Sequence, residues 1–320
     1  MSTWIFTHGD GDGVCAGALA LAANPDANVF FTHPYGLLED LQQAEEEDTV
    51  IICDIALSQL HLKNIIERFS ELEQKGSLYY FDHHPLPSGL RPRDLPGIIK
   101  HKIGSSASEI VYTFFKDKIG VLQSRVAIYG AISDYMDNTR TIQNLLEMWD
   151  KRAIYLDTGI LVQSLPLIKR EYDLKRSIVR ELAVGKPPSL NSKLVDLAVE
   201  QSKREEEAIK EIKEKVKIEG EVAYVLDYPF PLGKTAIYAR AIGGVHVGIA
   251  GETRKNVIDM SLRASGGVID LNKVLREITP RLGGSGGGHP QAAGARVPKD
   301  KFHLLISELN KALRVLQLRN

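Results

Sequence analysis

Cysteine is scarce in this sequence. Cys15 and Cys53 are the only cysteines among 320 residues, and they lie in a predicted helix and a predicted strand. Two such residues do not make the disulfide framework that is typical of small secreted proteins. We therefore expect a reducing environment, the cytoplasm, for this chain.

An excess of either charge is also missing. Lys and Arg number 40 and Asp and Glu number 41, which gives a formal net charge of -1 at pH 7. A protein that binds nucleic acid with its general surface carries a clear positive excess. The composition excludes that class, so any contact with nucleic acid must lie in a local groove.

Long hydrophobic runs are missing as well. No segment approaches the roughly 18 apolar residues of a membrane helix, and the first residues lack the basic segment and apolar core of a signal peptide. We expect no association with a membrane. The chain is long enough for two domains with buried cores.

The first 120 or so residues alternate short apolar runs with helical patterns, which predicts βαβ units and a parallel sheet. Strands are predicted at 4–7, 29–32, 49–53, 78–81 and 98–101, and helices at 14–23, 37–44, 60–75 and 106–118. Helical patterns continue over 125–182 and, in a highly charged segment, over 194–217. The charged segment is typical of a solvated helix, with a linker or a subunit contact as alternatives.

The pattern changes after Gly220, where a second domain begins. Strands are predicted at 221–228, 246–253 and 257–264, and helices at 234–242, 271–282 and 301–316, with a glycine loop at 283–288. The predicted fold class is α/β. It comprises an N-terminal parallel-sheet domain over 1–190, a helical linker over 191–217 and a smaller C-terminal α/β domain over 218–320.

Acidic residues and histidines follow the predicted strands. HGDGDG, residues 8–13, follows the first strand and FDHHP, residues 81–85, ends the fourth; Asp54 follows the third, and Asp134 lies in a helical segment. Carboxyl ends of parallel strands meet at one edge, where open α/β folds bind ligands. Acids gathered there would repel one another without cations, so the sequence predicts two divalent metal ions with oxygen and nitrogen ligands.

Two motifs at this edge differ in how specific they are. Asp10 and Asp12 alternate with glycines, which is also typical of a turn that caps a helix. Asp82, His83 and His84 are hard to explain by packing, because burying unpaired titratable groups is costly. One histidine can bind metal while the other donates a hydrogen bond to a phosphate, and Asp82 can orient an imidazole.

Serines open the fourth predicted helix of the N-terminal domain. Ser105, Ser106 and Ser108 are favoured capping residues, and their alternative role is to offer hydroxyl and N–H groups to a phosphate.

The C-terminal domain also contains candidate anion-binding residues. They are Gly286, Gly287, Gly288, His289, Arg263 and Ser265. Glycine permits close backbone approach to an anion, and an arginine can donate two hydrogen bonds to a phosphate. A flexible surface loop and a salt-bridged surface arginine are the alternatives.

These motifs resemble those of the DHH phosphoesterase superfamily. HGDGDG, Asp54, FDHHP and Asp134 are similar to its four motifs, and GGSGGGHPQAAGA, residues 283–295, is similar to the signature of its DHH-associated C-terminal domain. The resemblance covers nearly the whole chain. His8 lies two residues before the first aspartate, as in the RecJ-like branch.

The resemblance implies a cofactor of two Mn²⁺ ions, with Mg²⁺ or Co²⁺ as alternatives. The ligands it implies are His8 and Asp10 for the first ion, Asp12, His83 and Asp134 for the second, and Asp54 as a bridge. Among the catalytic residues, His84 would face the phosphate, Asp82 would support it, and Asp54 would act with both ions in activating a water.

The resemblance also suggests substrates and partners. The preferred substrate is single-stranded DNA or RNA cut from an end, with 3′ to 5′ polarity favoured. A phosphodiesterase for short oligoribonucleotides or cyclic dinucleotides, and a weakly active scaffold of a replication or repair complex, are the alternatives. Expected partners are a repair or replication protein such as a Hef-type helicase and further copies of this chain. Arg91, Arg93, Lys100 and Lys102 could line a path for a longer strand, or form a solvated loop.

Overall fold

The computed structural model describes residues 1–317 and the side chains of residues 1–314. The chain divides into two compact units, Met1–Ser202 and Lys203–Asn320, and the division falls inside the helix Ser192–Lys215. Residues 318–320, the end of the predicted C-terminal domain, lie outside the described residues. None of the described helices combines the length and the hydropathy of a membrane span.

The first unit is built on a sheet of five parallel strands. They are β1 (Thr3–Thr7), β2 (Asn28–Phe31), β3 (Thr49–Cys53), β4 (Ser77–Asp82) and β5 (Ile98–His101), in the spatial order β2-β1-β3-β4-β5. This confirms the predicted parallel sheet. Thr7 pairs with Cys53 and Cys53 with Phe81, so β1, β3 and β4 end level with one another.

Helices cover both faces of this sheet. They are α1 (Gly11–Ala23), α2 (Leu37–Asp40), α3 (Leu62–Lys75), α4 (Ala107–Phe115), α5 (Gln123–Ser133), α6 (Arg140–Glu147), α7 (Lys151–Ile168), α8 (Tyr172–Ala183) and α9 (Ser192–Lys215). Successive strand residues face opposite sides. Ile5 packs in the core with α1, α4 and α5, whereas Phe6 packs in the core with α3.

All four helices predicted in the first 120 residues have different bounds. Those predicted at 60–75 and 106–118 are Leu62–Lys75 and Ala107–Phe115, and the other two differ for identifiable reasons. The first begins at Gly11 and not at Val14, because the side chain of Asp10 accepts a hydrogen bond from Gly13 N–H and caps an earlier start. The second ends at Asp40, since residues 41–43 tighten into a 3₁₀ turn.

The second unit contains a mixed six-stranded sheet with the order β10-β11-β9-β8-β7-β6. The strands are β6 (Lys217–Glu219), β7 (Val222–Leu226), β8 (Val247–Arg254), β9 (Val257–Ala264), β10 (Ser285–Gly288) and β11 (Ala292–Pro298), and the helices are α10 (Leu232–Gly243), α11 (Leu271–Arg281) and α12 (Phe302–Gln317). Alternate residues of β9, from Ile258 to Ala264, are buried against α11 and α12. The predicted α/β class is confirmed in both units.

The predicted glycine loop at 283–288 is wrong in part. Ser285–Gly288 forms strand β10, paired antiparallel with β11, so four of its six residues have a regular backbone. The predicted long helix ends at Lys215, and Lys217 belongs to β6. Residue propensities did not predict strands β10 and β6, because pairing with a neighbouring strand decides whether such short segments are extended.

Candidate metal centre

The candidate centre lies where β1, β3 and β4 end. Thr7, Cys53 and Phe81 share one register, and His8, Asp54 and Asp82 directly follow them along their strands. The structure therefore brings the two longest motifs and Asp54 to one edge of the sheet. Three groups of donors have all their ligand atoms within 4.8 Å of one another: His8, Asp10 and Asp54; Asp12, His83 and Asp134; and Asp54, His83 and His84.

The first group joins the loop after β1 to Asp54. Nδ1 of His8 lies 2.7 Å from Oδ2 of Asp10 and 3.9 Å from Oδ2 of Asp54. The same Asp10 carboxylate accepts the Gly13 N–H at the start of α1. Capping of this helix therefore places Asp10 beside His8.

Asp12 is held by the start of another helix. Its carboxylate is fully buried and accepts hydrogen bonds from the N–H groups of Ala107 and Ser108, at 2.6 and 3.0 Å. Ser106 caps α4 by accepting the N–H of Glu109 at 3.1 Å, as the capping interpretation predicts. These N–H groups of α4 are thus bound to Asp12.

His83 lies between three carboxylates. Its Nε2 is 3.3 Å from Oδ1 of Asp54, 3.5 Å from Oδ2 of Asp134 and 4.0 Å from Oδ2 of Asp12. The imidazole is fully buried, and burial lowers its pKa, which favours the neutral form that binds metals. Asp134 reaches the centre from the end of α5.

Asp54 has the most informative surroundings. Asp54 is 1% exposed, and neither of its carboxylate oxygens has a hydrogen-bond partner among the described residues. Burial, and then the charges of Asp10 and Asp12, raise the pKa of Asp54 well above its ordinary value. A buried carboxylate without a donor is costly unless it binds a cation.

The pKa values of Asp12 and Asp134 are also raised in this centre. Burial raises the pKa of Asp12, and burial with the charges of Asp12 and Asp10 raises the pKa of Asp134 to about 8. The donor set of carboxylate oxygens and imidazole nitrogens suits small divalent ions. The residues present therefore fit the implied pair of cations, with Asp54 able to serve both.

His84 is positioned by Asp82. Its Nδ1 lies 2.8 Å from Oδ1 of Asp82, whose Oδ2 accepts the hydroxyl of Tyr80 at 2.8 Å. Burial alone would raise the pKa of Asp82, but the hydrogen bond and charge of His84 hold it below its ordinary value. The carbonyl of His84 accepts a hydrogen bond from Nε2 of His101 at 2.6 Å. Both the side chain and the backbone of His84 are thus fixed.

Two supporting residues were missed in the sequence. Gly130 of α5 lies so close to Asp12 that an added Cβ would be 2.6 Å from Oδ1 of Asp12. Lys175 of α8 is 6% exposed, and its Nζ donates to the carbonyl of Gly9 at 2.5 Å, inside the loop that carries His8 and Asp10. Neither has a sequence signal, because each contact joins segments far apart in the chain.

We expect Lys175→Met to weaken this loop. Methionine keeps much of the side-chain volume but leaves the Gly9 carbonyl without its donor, so the free energy of unfolding of the metal-free protein should fall by about 1–3 kcal/mol. Urea unfolding in chelator measures the change, with Arg180→Met on the exposed side of the same helix as control. Equal transition midpoints for the two variants would show that Lys175 does not hold the loop.

The candidate substrate residues gather at one end of the second sheet. Arg263 pairs with Ala292, Gly288 pairs with Ala293, and Ser265 follows the end of β9. The N–H of His289 donates to the carbonyl of Ala292 at 2.8 Å and closes the turn between β10 and β11. The N–H of Gly288 donates to Asn272, and Gly286 and Gly287 lie within β10.

The structure places the four predicted basic residues at two places, a 3₁₀ turn and strand β5. Arg91 donates from Nε and Nη2 to the carboxylate of Asp94, both at 2.9 Å, so an acid already occupies its guanidinium. Arg93 lies in the same 3₁₀ turn as Asp94. Lys100 belongs to β5, and Lys102 follows it. The four therefore do not act as one cluster of equivalent cations.

Comparison with known protein families identifies part of the second unit. Residues 231–315 match the DHHA1 domain family. A comparison with curated protein sequences finds no significant match.

Several solved structures share the fold over 98% of this chain. A DHH domain described as belonging to a family of ribosomal proteins has a TM-score of 0.70 at 14% identity, with 86% of its chain covered. The exonuclease RecJ bound to manganese has a TM-score of 0.60 at 13% identity, with 90% covered. A pGpG-specific phosphodiesterase from Vibrio cholerae has a TM-score of 0.62 at 13% identity, with 99% covered. Residues 231–315 are therefore similar to the DHHA1 domain family, and the chain as a whole shares its fold with the exonuclease RecJ and with a phosphodiesterase.

Proposed function

We propose that this chain is a metal-dependent phosphodiesterase that hydrolyses single-stranded nucleic acid from one end, with 3′ to 5′ polarity favoured. The observation that supports the proposal best is the buried carboxylate of Asp54, which has no hydrogen-bond donor among the described residues and belongs to two groups of potential ligands. The fold shared with RecJ and with a phosphodiesterase supports phosphoester hydrolysis.

Each residue of the centre has a distinct proposed role. His8 and Asp10 would hold one cation, Asp12, His83 and Asp134 would hold the other, and Asp54 would serve both. When bound, two Mn²⁺ ions, with Mg²⁺ or Co²⁺ as alternatives, supply a water of lowered pKa and positive charge that offsets the charge developing on the phosphate. His84, oriented by Asp82, donates a hydrogen bond to a phosphate oxygen.

Substrate binding is assigned to residues of the second unit. In this proposal phosphate or sugar oxygens of the substrate lie against Arg263, Ser265, Gly286, Gly287, Gly288 and His289, with glycine permitting close approach of the backbone. Nη1 of Arg263 already donates to Ser261 Oγ and to the carbonyl of Leu262, which fixes the side chain along β9. A fixed guanidinium loses less entropy when it binds an anion.

We expect Arg263→Lys and His289→Ala to weaken substrate binding about 10- to 100-fold, since a hydrogen bond to a charged group contributes ~1.5–3 kcal/mol. Lysine keeps the positive charge of Arg263 but cannot donate the bidentate pair of hydrogen bonds that a guanidinium donates. Fluorescence titration of a labelled oligonucleotide measures affinity, and elemental analysis measures manganese. Arg281→Ala, an exposed arginine of α11, is the control. Loss of manganese from the His289 variant would contradict the separation of metal and substrate sites.

A phosphodiesterase for short oligonucleotides or cyclic dinucleotides is the second candidate. The observation that favours it is the similarity to the pGpG-specific enzyme, whose whole length is nearly covered by this chain. The ion pair between Arg91 and Asp94 also removes one cation from the path that a long strand would follow. An enzyme for dinucleotides does not need such a path.

One experiment separates these candidates. End-labelled single-stranded DNA and RNA of twelve nucleotides, an RNA dinucleotide and cyclic di-AMP are incubated with the full chain in Mn²⁺ or in chelator. The nuclease proposal expects a ladder of products that shortens from the 3′ end. Faster cleavage of the dinucleotide or the cyclic substrate would favour the second candidate, and inactivity on all four in Mn²⁺ would leave the scaffold alternative. The Hef-type partner, the homo-oligomer and the cytoplasmic location stay predictions.

A further inference from the structure

A cleft beside the candidate metal centre has no role in the chemistry described above. It has a volume of about 410 Å³ and lies in the first unit between the edge strand β5 and helix α4. Lys100 and Lys102 line it from the strand side, and Glu109, Thr113 and Phe114 line it from the helix side. Ligand sites commonly have about 300–1,000 Å³ of space.

Two segments of the cleft wall contact residues of the metal centre. His101, which lines the cleft, donates to the carbonyl of His84 at 2.6 Å. Ser105 also lines it and precedes the Ala107 and Ser108 N–H groups that hold Asp12. The segments that line the cleft therefore also support His84 and Asp12 in the metal centre.

Ser105 provides separate evidence that the cleft binds a ligand. Ser105 is fully buried, and its hydroxyl has no hydrogen-bond partner within the described part of the chain. The neighbouring serines differ, since the hydroxyl of Ser106 accepts the N–H of Glu109 and the hydroxyl of Ser108 donates to the carbonyl of Ala127. Buried hydroxyls are normally satisfied, so a group entering the cleft is the natural partner of Ser105.

The chemistry of the lining indicates what that group is. Nζ of Lys100 lies 5.6 Å from the centre of the Phe114 ring, and Nζ of Lys102 lies 3.6 Å from Oε1 of the buried Glu109. Two ammonium groups suit a phosphate, and the ring of Phe114 with Ile110 offers an apolar surface for a base or sugar. Glu109, which also accepts the hydroxyl of Thr139 at 2.8 Å, offers an acceptor to a sugar hydroxyl or base amino group.

We infer that this cleft binds one nucleotide unit of the substrate, the unit that flanks the phosphate held at the metal centre. Lys100 and Lys102 contact its phosphate, Ser105 donates to one of its oxygens, and its base or sugar packs on Phe114. The volume accommodates one such unit and not several. The inference rests on the proposed function for its substrate class, but it concerns binding and is tested without turnover.

The test measures binding of AMP to the full chain by isothermal titration calorimetry in Mn²⁺. The double variant Lys100→Gln, Lys102→Gln should weaken AMP binding at least about 10-fold, because each charge-assisted contact is worth more than a neutral hydrogen bond. Thr113→Trp, a change at an exposed position of the lining, should block the cleft by bulk and weaken binding similarly. The matched control is Lys116→Gln, Lys118→Gln, which removes two exposed cations just beyond α4 that do not line the cleft and should leave affinity unchanged.

Competition then identifies the ligand. Adenosine should bind more weakly than AMP, and inorganic phosphate should not displace AMP at equal concentration. The inference is overturned if AMP binds the double variant and the Trp variant as tightly as the unchanged protein, if AMP does not bind, or if inorganic phosphate competes equally well. Failure of the chain to hydrolyse any nucleic acid would count against the proposed function and leave this binding test intact.

Discussion

Asp54→Asn should abolish manganese-dependent hydrolysis while the protein stays folded. The expected loss in turnover is at least about 1000-fold, the upper end of what one lost electrostatic contact at a reacting centre costs. Asp54 has φ 59°, a left-handed conformation that asparagine also tolerates, so the substitution adds no backbone strain. It also removes one of several repelling carboxylates, so the metal-free variant should unfold at the same or a higher temperature.

The variant should also lose its thermal response to manganese. A ligand that binds only the folded state raises the unfolding temperature, so Mn²⁺ should stabilise the unchanged protein much more than the variant. Differential scanning calorimetry with and without Mn²⁺ measures both effects, and Asp26→Asn, at an exposed turn, is the control. An undiminished rate in the Asp54 variant would rule out a shared carboxylate.

His84→Ala should lower turnover by about 100-fold or more without loss of metal. The expected size is that of one hydrogen bond to a reacting phosphate. The imidazole of His84 bonds to Asp82, and the backbone carbonyl of residue 84 accepts a hydrogen bond from His101. Alanine keeps the backbone contact, so the substitution should leave His83 in place. His83→Ala, by contrast, should lose manganese because three carboxylates surround that imidazole.

Manganese content and rate are measured together for both variants, with His303→Ala as a control on the exposed surface of the second unit. His84 also belongs to a group of possible ligands with Asp54 and His83. If His84→Ala loses an equivalent of manganese, His84 is a ligand and the division of roles between the two histidines is wrong.

The fold and the position of the centre were predictable from local patterns. Each strand of the first sheet has an apolar run, and parallel strands that are neighbours end at one edge. Predicting where the strands end was therefore enough to predict that His8, Asp54 and Asp82 lie close together. The DHH-associated signature likewise indicated a second domain over 218–320, and residues 231–315 match the DHHA1 domain family.

What remained hidden depends on contacts between distant segments. Lys175 reaches Gly9 across 166 residues, and no local pattern marks a buried lysine as the partner of a carbonyl. Strand β10 was missed because Ser285–Gly288 is almost entirely glycine and has no alternating side chains. The ion pair that engages the guanidinium of Arg91 with Asp94 is likewise not revealed by composition.

The most direct test titrates Mn²⁺ into metal-free protein while the hydrolysis of bis(p-nitrophenyl) phosphate is followed by absorbance. This small diester needs the metal centre but neither the cleft nor the second unit. We expect no hydrolysis before manganese is added and a rate that saturates at two equivalents per chain. Hydrolysis at full rate in chelator, or saturation at a single equivalent, would contradict a centre in which Asp54 is shared by two cations.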